Sequence, residues 1–172
     1  MNKIYSILVA GICLLSGVAT YAATPTITEV EKLIATDGAG ADYFGYSVAV
    51  DGDTAVIGAY GDDDLGSESG AAYIYTRDTA GAWSLQQKLT ASDGVADDRF
   101  GWVVAVEGDI AVVGRESYDY FTPPNGAAYV FTRDSTGIWT ERQKLTAYDG
   151  FAGDRFGESL AMSGSTIVVG AK

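Results

Sequence analysis

Apolar and polar residues alternate in short segments along most of the chain, as they do in β-strands with one buried face. Val, Ile, Tyr, Thr and Trp dominate these segments, and Gly and Asp dominate the connections. In one stretch the pattern predicts strands over residues 46–50, 54–59, 71–76 and 83–91. Asp51-Gly52 predicts a tight hairpin between the first two strands, because glycine readily adopts positive φ. We therefore expect an all-β fold.

The four-strand pattern recurs at a constant spacing along the chain, and its aromatic landmarks stay in register: Phe44, Phe100 and Phe156, then Trp83 and Trp139. The units are residues 32–87, 88–143 and the shorter 144–172. Tandem four-stranded units are typical of propeller blades. A β-helix coil is shorter, and a β-sandwich would not show this internal identity. The sequence predicts a partial β-propeller of four-stranded antiparallel blades, with about 2.5 repeats and an incomplete ring.

Both ends of the repeat array are incomplete. Residues 29–35 are interpreted as a lone fourth strand, by register with residues 87–91, and the third unit stops after its second strand. Closed propellers have about 4–8 blades, so further repeats or another chain are needed to close the ring. We expect a fragment or a truncated product, because residues 167–169 would form an unprotected edge strand. The alternative is a short chain that closes its ring by oligomerisation.

The recurring Phe-Gly pairs at 44–45, 100–101 and 156–157 precede strands such as "SVAV" and "VIGA". This pattern resembles the FG-GAP repeat of integrin α propellers and of many bacterial secreted proteins. The resemblance implies a propeller that binds ligands through one face. The proline of the "GAP" tripeptide is absent from all three copies, which end at Tyr60, Glu116 and Lys172.

The resemblance does not bring the integrin calcium site with it. In integrins an acidic loop between the first two strands binds calcium, whereas here that connection is only Asp51-Gly52-Asp53, Glu107-Gly108-Asp109 or Ser163-Gly164-Ser165. Such a tight hairpin cannot wrap the six to eight oxygen ligands that calcium takes. We therefore expect no cofactor. Calcium stays an open alternative only at other carboxylates.

The N-terminus has the features of an export signal. Lys3 precedes an apolar run over residues 4–17, and small residues follow, so residues 1–22 are predicted to be a signal peptide and residues 23–172 the propeller. The alternative is an uncleaved membrane anchor. Cys13, the only cysteine, would leave with the signal, and the chain has no histidine. The mature chain then lacks thiols and the commonest general base, so we expect no enzyme. We expect a secreted, cell-surface or periplasmic location without membrane insertion.

The chain is acidic, with 11 basic and 23 acidic residues and a net charge of −12. A field of this sign repels phosphate backbones, which argues against nucleic-acid binding. Carboxylates also recur between units, in the pattern "DG-x-x-x-D-x-FG". Turn formation by Asp and Gly is the favoured interpretation, and a repeated cation site is the alternative. Arg99 and Arg155 are expected to neutralise the neighbouring carboxylates of Asp98 and Asp154.

Candidate binding residues lie on the connections between the second and third strands. Asp62, Asp63 and Asp64 are expected to form a solvated acidic loop, since neighbouring side chains diverge too far to share one ion. In the next unit, Tyr118, Tyr120 and Phe121 lie on a loop stiffened by two prolines, where they either contact a ligand or cover the blade. Four recurring aromatic residues are expected to pack in the core: Tyr73, Tyr129, Trp83 and Trp139. Trp102 does not recur and is expected to make a unit-specific contact.

Three functions are compatible with these features. The favoured one is a secreted or cell-surface binding module for an extracellular protein or carbohydrate, because variable loops on a repeated scaffold are where recognition normally resides. The second is the non-catalytic propeller of a larger secreted enzyme, or a truncated product without independent function. The third is an assembly role through edge strands.

Overall fold

The computed structural model describes residues 4–8, 28–116, 126–151 and 153–172, and these residues form an all-β structure. Two strands near the N-terminus pair with each other, β1 (Ile4–Leu8) and β2 (Thr28–Leu33). The next four strands form one antiparallel sheet, blade 1: β3 (Ser47–Asp51), β4 (Thr54–Ala59), β5 (Ala71–Arg77) and β6 (Trp83–Leu89). Four more form blade 2: β7 (Phe100–Glu107), β8 (Ile110–Arg115), β9 (Ala127–Arg133) and β10 (Trp139–Leu145). The third unit contributes the hairpin of β11 (Ser159–Ser163) and β12 (Thr166–Gly170).

The two blades have the same topology, in which each strand pairs with the next strand along the chain. The pairing register also recurs: Asp51 faces Thr54 across the first hairpin of blade 1, and Glu107 faces Ile110 across the equivalent hairpin of blade 2. The sheets stay open, side by side, and do not close into a ring. The predicted partial propeller of antiparallel four-stranded blades is therefore confirmed.

Aromatic side chains of the repeat build the core. The ring of Phe100 lies 5.4 Å from that of Tyr129 and 6.1 Å from that of Phe131, and Phe44 meets Tyr73 and Tyr75 in the same way. Edge-to-face contacts of this kind stabilise a core beyond the area that they bury. Phe100 and Tyr129 are fully buried, and they belong to a cluster that also holds Val56 and Ile74 of blade 1. The core thus continues from one blade into the next.

The Phe-Gly pair brings successive blades into backbone contact. The hydroxyl of Ser47 donates a hydrogen bond of 2.8 Å to the carbonyl of Gly101, and the amide of Phe100 donates to the carbonyl of Ser69. Gly101 has φ +90, and a Cβ built on it would lie 2.2 Å from the carbonyl oxygen of Ala71. Only glycine fits such an approach, which explains why a glycine follows each phenylalanine of the pattern.

The strand β2 has the role of a fourth strand, as the register predicted. The Glu31 carboxylate accepts the amide of Trp83 at 2.8 Å, and the Gln87 side chain, at the equivalent position of the next unit, accepts the amide of Trp139 at 2.9 Å. β2 therefore lies beside blade 1 as β6 lies beside blade 2. Its partner β1 falls within the predicted export signal, so removal of that signal would also remove β1. Among the described residues, no helix has the length and apolarity needed to span a membrane.

Candidate functional site

The connections at the two ends of the strands form two opposite faces of the partial propeller, and each face takes its name from its connections. The hairpin face carries the short turns between β3 and β4, β5 and β6, and their counterparts in blade 2. The loop face carries the longer connections at residues 34–46, 60–70, 90–99 and 146–158. Variable loops on a rigid scaffold usually carry function, so the face on which the units differ is the candidate functional face.

The hairpin face repeats the same interactions in both blades. Arg77 donates from Nε to Asp53 at 2.9 Å and lies 5.4 Å from the ring centroid of Trp83. Arg133 donates to Asp109 at 2.8 Å and lies 5.1 Å from the ring of Trp139. A shallow groove between the blades on this face is lined largely by these repeated residues. The network is a structural device of the fold and distinguishes no unit from the other.

Part of the loop face is also repeated. The hydroxyl of Tyr73 lies 3.0 Å from Asp37 Oδ1, and the hydroxyl of Tyr129 lies 2.8 Å from Asp93 Oδ1. Both tyrosines are fully buried, which confirms their predicted core position and explains why their hydroxyls need a partner. In each blade, a lysine of the last strand pairs with this aspartate as well: Lys88 with Asp37 and Lys144 with Asp93.

The second aspartate of the recurring pattern forms a turn, as the favoured interpretation predicted. Asp42 accepts the amide of Ala39 at 2.6 Å, and Asp98 accepts the amide of Val95 at 2.9 Å. In the third unit Asp154 accepts the amide of Phe151 at 2.6 Å. These carboxylates satisfy backbone donors of their own loops, which is the usual role of aspartate in such turns.

The prediction of a solvated acidic loop is wrong for Asp62, which is only 3% exposed. Lys88 Nζ lies 2.8 Å from Asp62, 2.6 Å from Asp64 and 2.9 Å from Asp37, so one ammonium group holds three carboxylates. The expected divergence of neighbouring side chains applies to Asp63, which instead accepts the amide of Glu68. Asp62 and Asp64 converge because Asp62 turns inward to the hydroxyl of Tyr73, at 2.9 Å.

This cluster is also the one group of carboxylates among the described residues whose spacing would suit a metal ion: oxygens of Asp37, Asp62 and Asp64 lie within 4.8 Å of one another. The Lys88 ammonium already supplies the positive charge there. Burial alone would lower the pKa of Lys88, but hydrogen bonds to the three carboxylates outweigh it and raise the pKa well above its ordinary value. The arrangement is an internal ion-pair cluster that fixes the loop at residues 60–70.

Next to blade 2, a buried carboxylate of another loop pairs with an arginine. Asp98, 4% exposed in its side chain, pairs at 2.8 Å with Arg115 of β8, whose counterpart in blade 1 is Ala59. The structure pairs Asp98 with Arg115, whereas the sequence suggested Arg99 as its neutralising cation. Arg99 pairs with Glu68 at 2.7 Å, and Arg155 lies 3.3 Å from Glu116. Both arginines have positive φ.

The remaining predicted residues are distributed as follows. Trp139 is buried between the blades, and Trp83 packs against the cluster of blade 1, so both belong to the core as predicted. Tyr118, Tyr120 and Phe121 lie outside the described residues. Trp102 makes the unit-specific contact that was predicted, with Tyr46 at 4.7 Å and Tyr60 at 5.0 Å between ring centroids. Those two tyrosines were not found from the sequence, although comparison of equivalent positions across the units would have revealed them.

We expect the free energy of unfolding to fall as the pH rises above about 10, the ordinary pKa of tyrosine. Burial raises the pKa of Tyr73 above this value and that of Tyr75 to about 12, and the pKa of Lys88 is raised as well. The folded chain therefore binds more protons than the unfolded chain in this range, so rising pH favours unfolding. Urea denaturation midpoints at pH 8, 10 and 11 test this expectation. A midpoint that stays constant or increases would contradict it.

Comparison with known protein families finds a match to the FG-GAP repeat over residues 27–75, 83–131 and 139–172. The three matched segments start at equivalent positions of successive units, with the same spacing as the Phe-Gly pairs. A search of curated proteins finds no significant match to the chain.

Proposed function

Because this chain belongs to the FG-GAP repeat family, we propose that it is a propeller-type binding module, without catalytic activity, that recognises an extracellular protein or glycan through its loop face. One observation carries the proposal: the two blades agree on the hairpin face, whereas part of the loop face differs between them. On the hairpin face, Arg77 and Arg133 make the same contacts at equivalent positions of the two blades. On the loop face, the residues at the positions of Tyr43, Tyr46 and Tyr60 differ in size or charge in the next unit.

The fold alone does not require this difference. In blade 1, Lys88 holds Asp62 and Asp64 of the loop at residues 60–70 as well as Asp37, whereas blade 2 adds an ion pair between Arg115 and Asp98 at positions where blade 1 has Ala59 and Asp42. A scaffold that needs only stability could use one solution twice, as it does on the opposite face. Rigid loops that differ from unit to unit provide the distinct contacts that recognition requires. The apolar N-terminal segment supports export, which would place this face outside the cytoplasm.

A matched pair of variants tests the proposal. The fluorescently labelled chain would be applied to arrays of glycans and of extracellular matrix proteins. We expect Tyr118→Ser combined with Tyr120→Ser, in the connection between β8 and β9, to weaken the observed binding about tenfold or more. Ile138→Ser, at an exposed apolar position on the hairpin face, should leave it unchanged. Equal loss in both variants, or loss only with Ile138→Ser, would overturn the assignment of the loop face.

A further inference from the structure

Three positions of the repeat lie next to one another on the loop face, and at each of them the first unit differs from the other two. The residue before each Phe-Gly pair is Tyr43, Arg99 or Arg155, and the residue after the pair is Tyr46, Trp102 or Glu158. The third position follows the second strand of each unit and holds Tyr60, Glu116 or Lys172. We call these nine residues the axial strip. In blade 1 all three positions are tyrosines, whereas the third unit has only charged residues.

The aromatic half of the axial strip is one continuous stack. The rings of Tyr43 and Tyr60 are parallel to within 7° at 4.6 Å, and the ring of Tyr46 meets Tyr60 edge-on at 4.6 Å. Trp102 of blade 2 extends the stack across the boundary between the blades. Tyr43 is 43% exposed and Tyr46 is 50% exposed, so ring surface is open to solvent.

Charged groups border this stack. The Arg99 guanidinium lies 5.9 Å from the ring centroid of Tyr60 and is held by Glu68. Glu116 is only 2% exposed, and its Oε2 has no hydrogen-bond partner among the described residues. Phe100 pairs with Arg115, the residue before Glu116, so Glu116 lies beside the segment that holds Arg99 and Trp102. Burial and, after it, the negative charge of Glu116 raise the pKa of the Tyr46 phenol. Arg155 and Lys172, at 4.0 and 3.5 Å from Glu158, continue the border.

The fold does not account for the aromatic residues. The backbone makes the same turn in both units, since the amide of Tyr46 donates to the carbonyl of Tyr43 and that of Trp102 to the carbonyl of Arg99. Blade 2 makes this turn with Arg99 and Glu116 at the positions of Tyr43 and Tyr60. Among the described residues, this surface therefore carries four adjacent aromatic rings, of which Tyr43 and Tyr46 are exposed and Tyr60 and Trp102 are half-buried. Tyrosine and tryptophan are favoured at binding surfaces because each offers an apolar face and a polar tip. An unpartnered carboxylate oxygen beside such a surface can accept a hydrogen bond from a bound donor.

Resting on the function proposed above, we propose that the axial strip binds a neutral oligosaccharide. The C–H faces of its sugar rings lie on Tyr43, Tyr46 and Trp102. Its hydroxyl groups pair with the guanidinium of Arg99 and with the carboxylate of Glu116, which takes part once a side-chain rotation opens it to the ligand. One sugar ring matches the width of one aromatic ring, so the stack offers room for two or three sugar units.

Other ligand classes fit the charges of the strip less well. An anionic polysaccharide would meet Glu116 and Glu158 and the net charge of −12. A basic peptide would find the cation position over Tyr60 already filled by Arg99, with Arg155 and Lys172 close by. A neutral ligand with many hydroxyl groups avoids both conflicts, because each hydroxyl can donate a hydrogen bond to a carboxylate or accept one from a cationic group.

The test is calorimetric titration of the full chain with neutral hexasaccharides from β-glucan, mannan and galactan, with an alginate oligomer and a lysine hexapeptide in parallel. We expect at least one neutral hexasaccharide to bind and Tyr46→Ala to weaken its binding about tenfold or more. Tyr148→Ala is the matched control, because Tyr148 is 99% exposed on a loop-face connection outside the strip. It should leave affinity unchanged. Circular dichroism of each variant verifies that the fold is retained.

The other outcomes separate this inference from the broader proposal. Binding of the lysine peptide or the alginate in place of the neutral sugars, with loss in Tyr46→Ala, would overturn the oligosaccharide assignment and keep the loop face as the binding surface. Sugar binding that survives Tyr46→Ala, or no sugar binding while a matrix protein binds the loop face, would overturn the strip alone. A chain that binds none of the glycans and matrix proteins through its loop face would overturn both.

Discussion

Gly101→Ala is expected to lower the free energy of unfolding by about 3–5 kcal/mol, among the largest effects of a single methyl group. The new Cβ would lie 2.2 Å from the carbonyl oxygen of Ala71 and 3.0 Å from the amide nitrogen of Ala59. Both contacts are with backbone atoms of blade 1, which cannot rotate away as a side chain could. Blade 2 would have to separate from blade 1 and give up the hydrogen bond from Ser47 to the Gly101 carbonyl. Urea or thermal denaturation followed by circular dichroism measures the loss.

Gly108→Ala is the control that separates the effect of the steric contact on stability from the effect of positive φ. Gly108 also has positive φ, +57, but a Cβ there would meet nothing within 4 Å. Its substitution should cost only about 1 kcal/mol, the usual penalty of an L-residue in the left-handed region. If both variants lose the same stability, close packing at the Phe-Gly pair is not what joins the blades.

Lys88→Met is expected to lower the free energy of unfolding by about 2–4 kcal/mol, because it leaves the carboxylate of Asp62 buried without its counterion. Lys88 is 18% exposed in its side chain and Asp62 is 4% exposed, so water replaces the lost charge poorly. Asp64 and Asp37, which share the same ammonium group, are about half exposed and contribute less. Chemical denaturation at pH 7 and low salt measures the effect.

Lys144→Met is the matched control at the equivalent position of blade 2. Lys144 pairs with Asp93 in a more exposed site, with side chains 31% and 49% exposed, so its loss should cost about 0–1 kcal/mol. Adding Asp62→Asn to Lys88→Met should recover part of the stability, because it removes the stranded charge. If Lys88→Met costs no more than Lys144→Met, the three-carboxylate cluster does not hold the loop.

The strands could be predicted from the sequence because their signals are local. Alternation of apolar and polar residues, with Asp-Gly at the hairpin, placed Thr54–Ala59 at the bounds that the structure has. The role of Asp42 and Asp98 as turn acceptors was also local, since each accepts an amide three residues away. The repeat then allowed the topology to be predicted, because β2 and β6 had to occupy equivalent places beside successive blades.

The interactions between distant segments could not be predicted in the same way. Asp62 lies in a run of carboxylates that the sequence makes polar, but Tyr73 and Lys88 on neighbouring strands draw it into the interior. Nothing adjacent to Asp98 shows that its cation is Arg115, which comes from the second strand of its blade, and not the adjacent Arg99. The tyrosines of the axial strip meet within the first unit, but only the docking of the blades adds Trp102 of blade 2 to them.

An experimental structure of the chain tests the propeller architecture most directly, through one superposition and one distance. The repeat predicts that residues 47–89 and 103–145 superimpose as the same four-stranded antiparallel sheet. It also predicts that the Ser47 hydroxyl lies within hydrogen-bonding distance of the Gly101 carbonyl, at about the 2.8 Å found here. Dissimilar folds for the two segments, or blades in which Ser47 and Gly101 lie far apart, would contradict the architecture and the two faces derived from it.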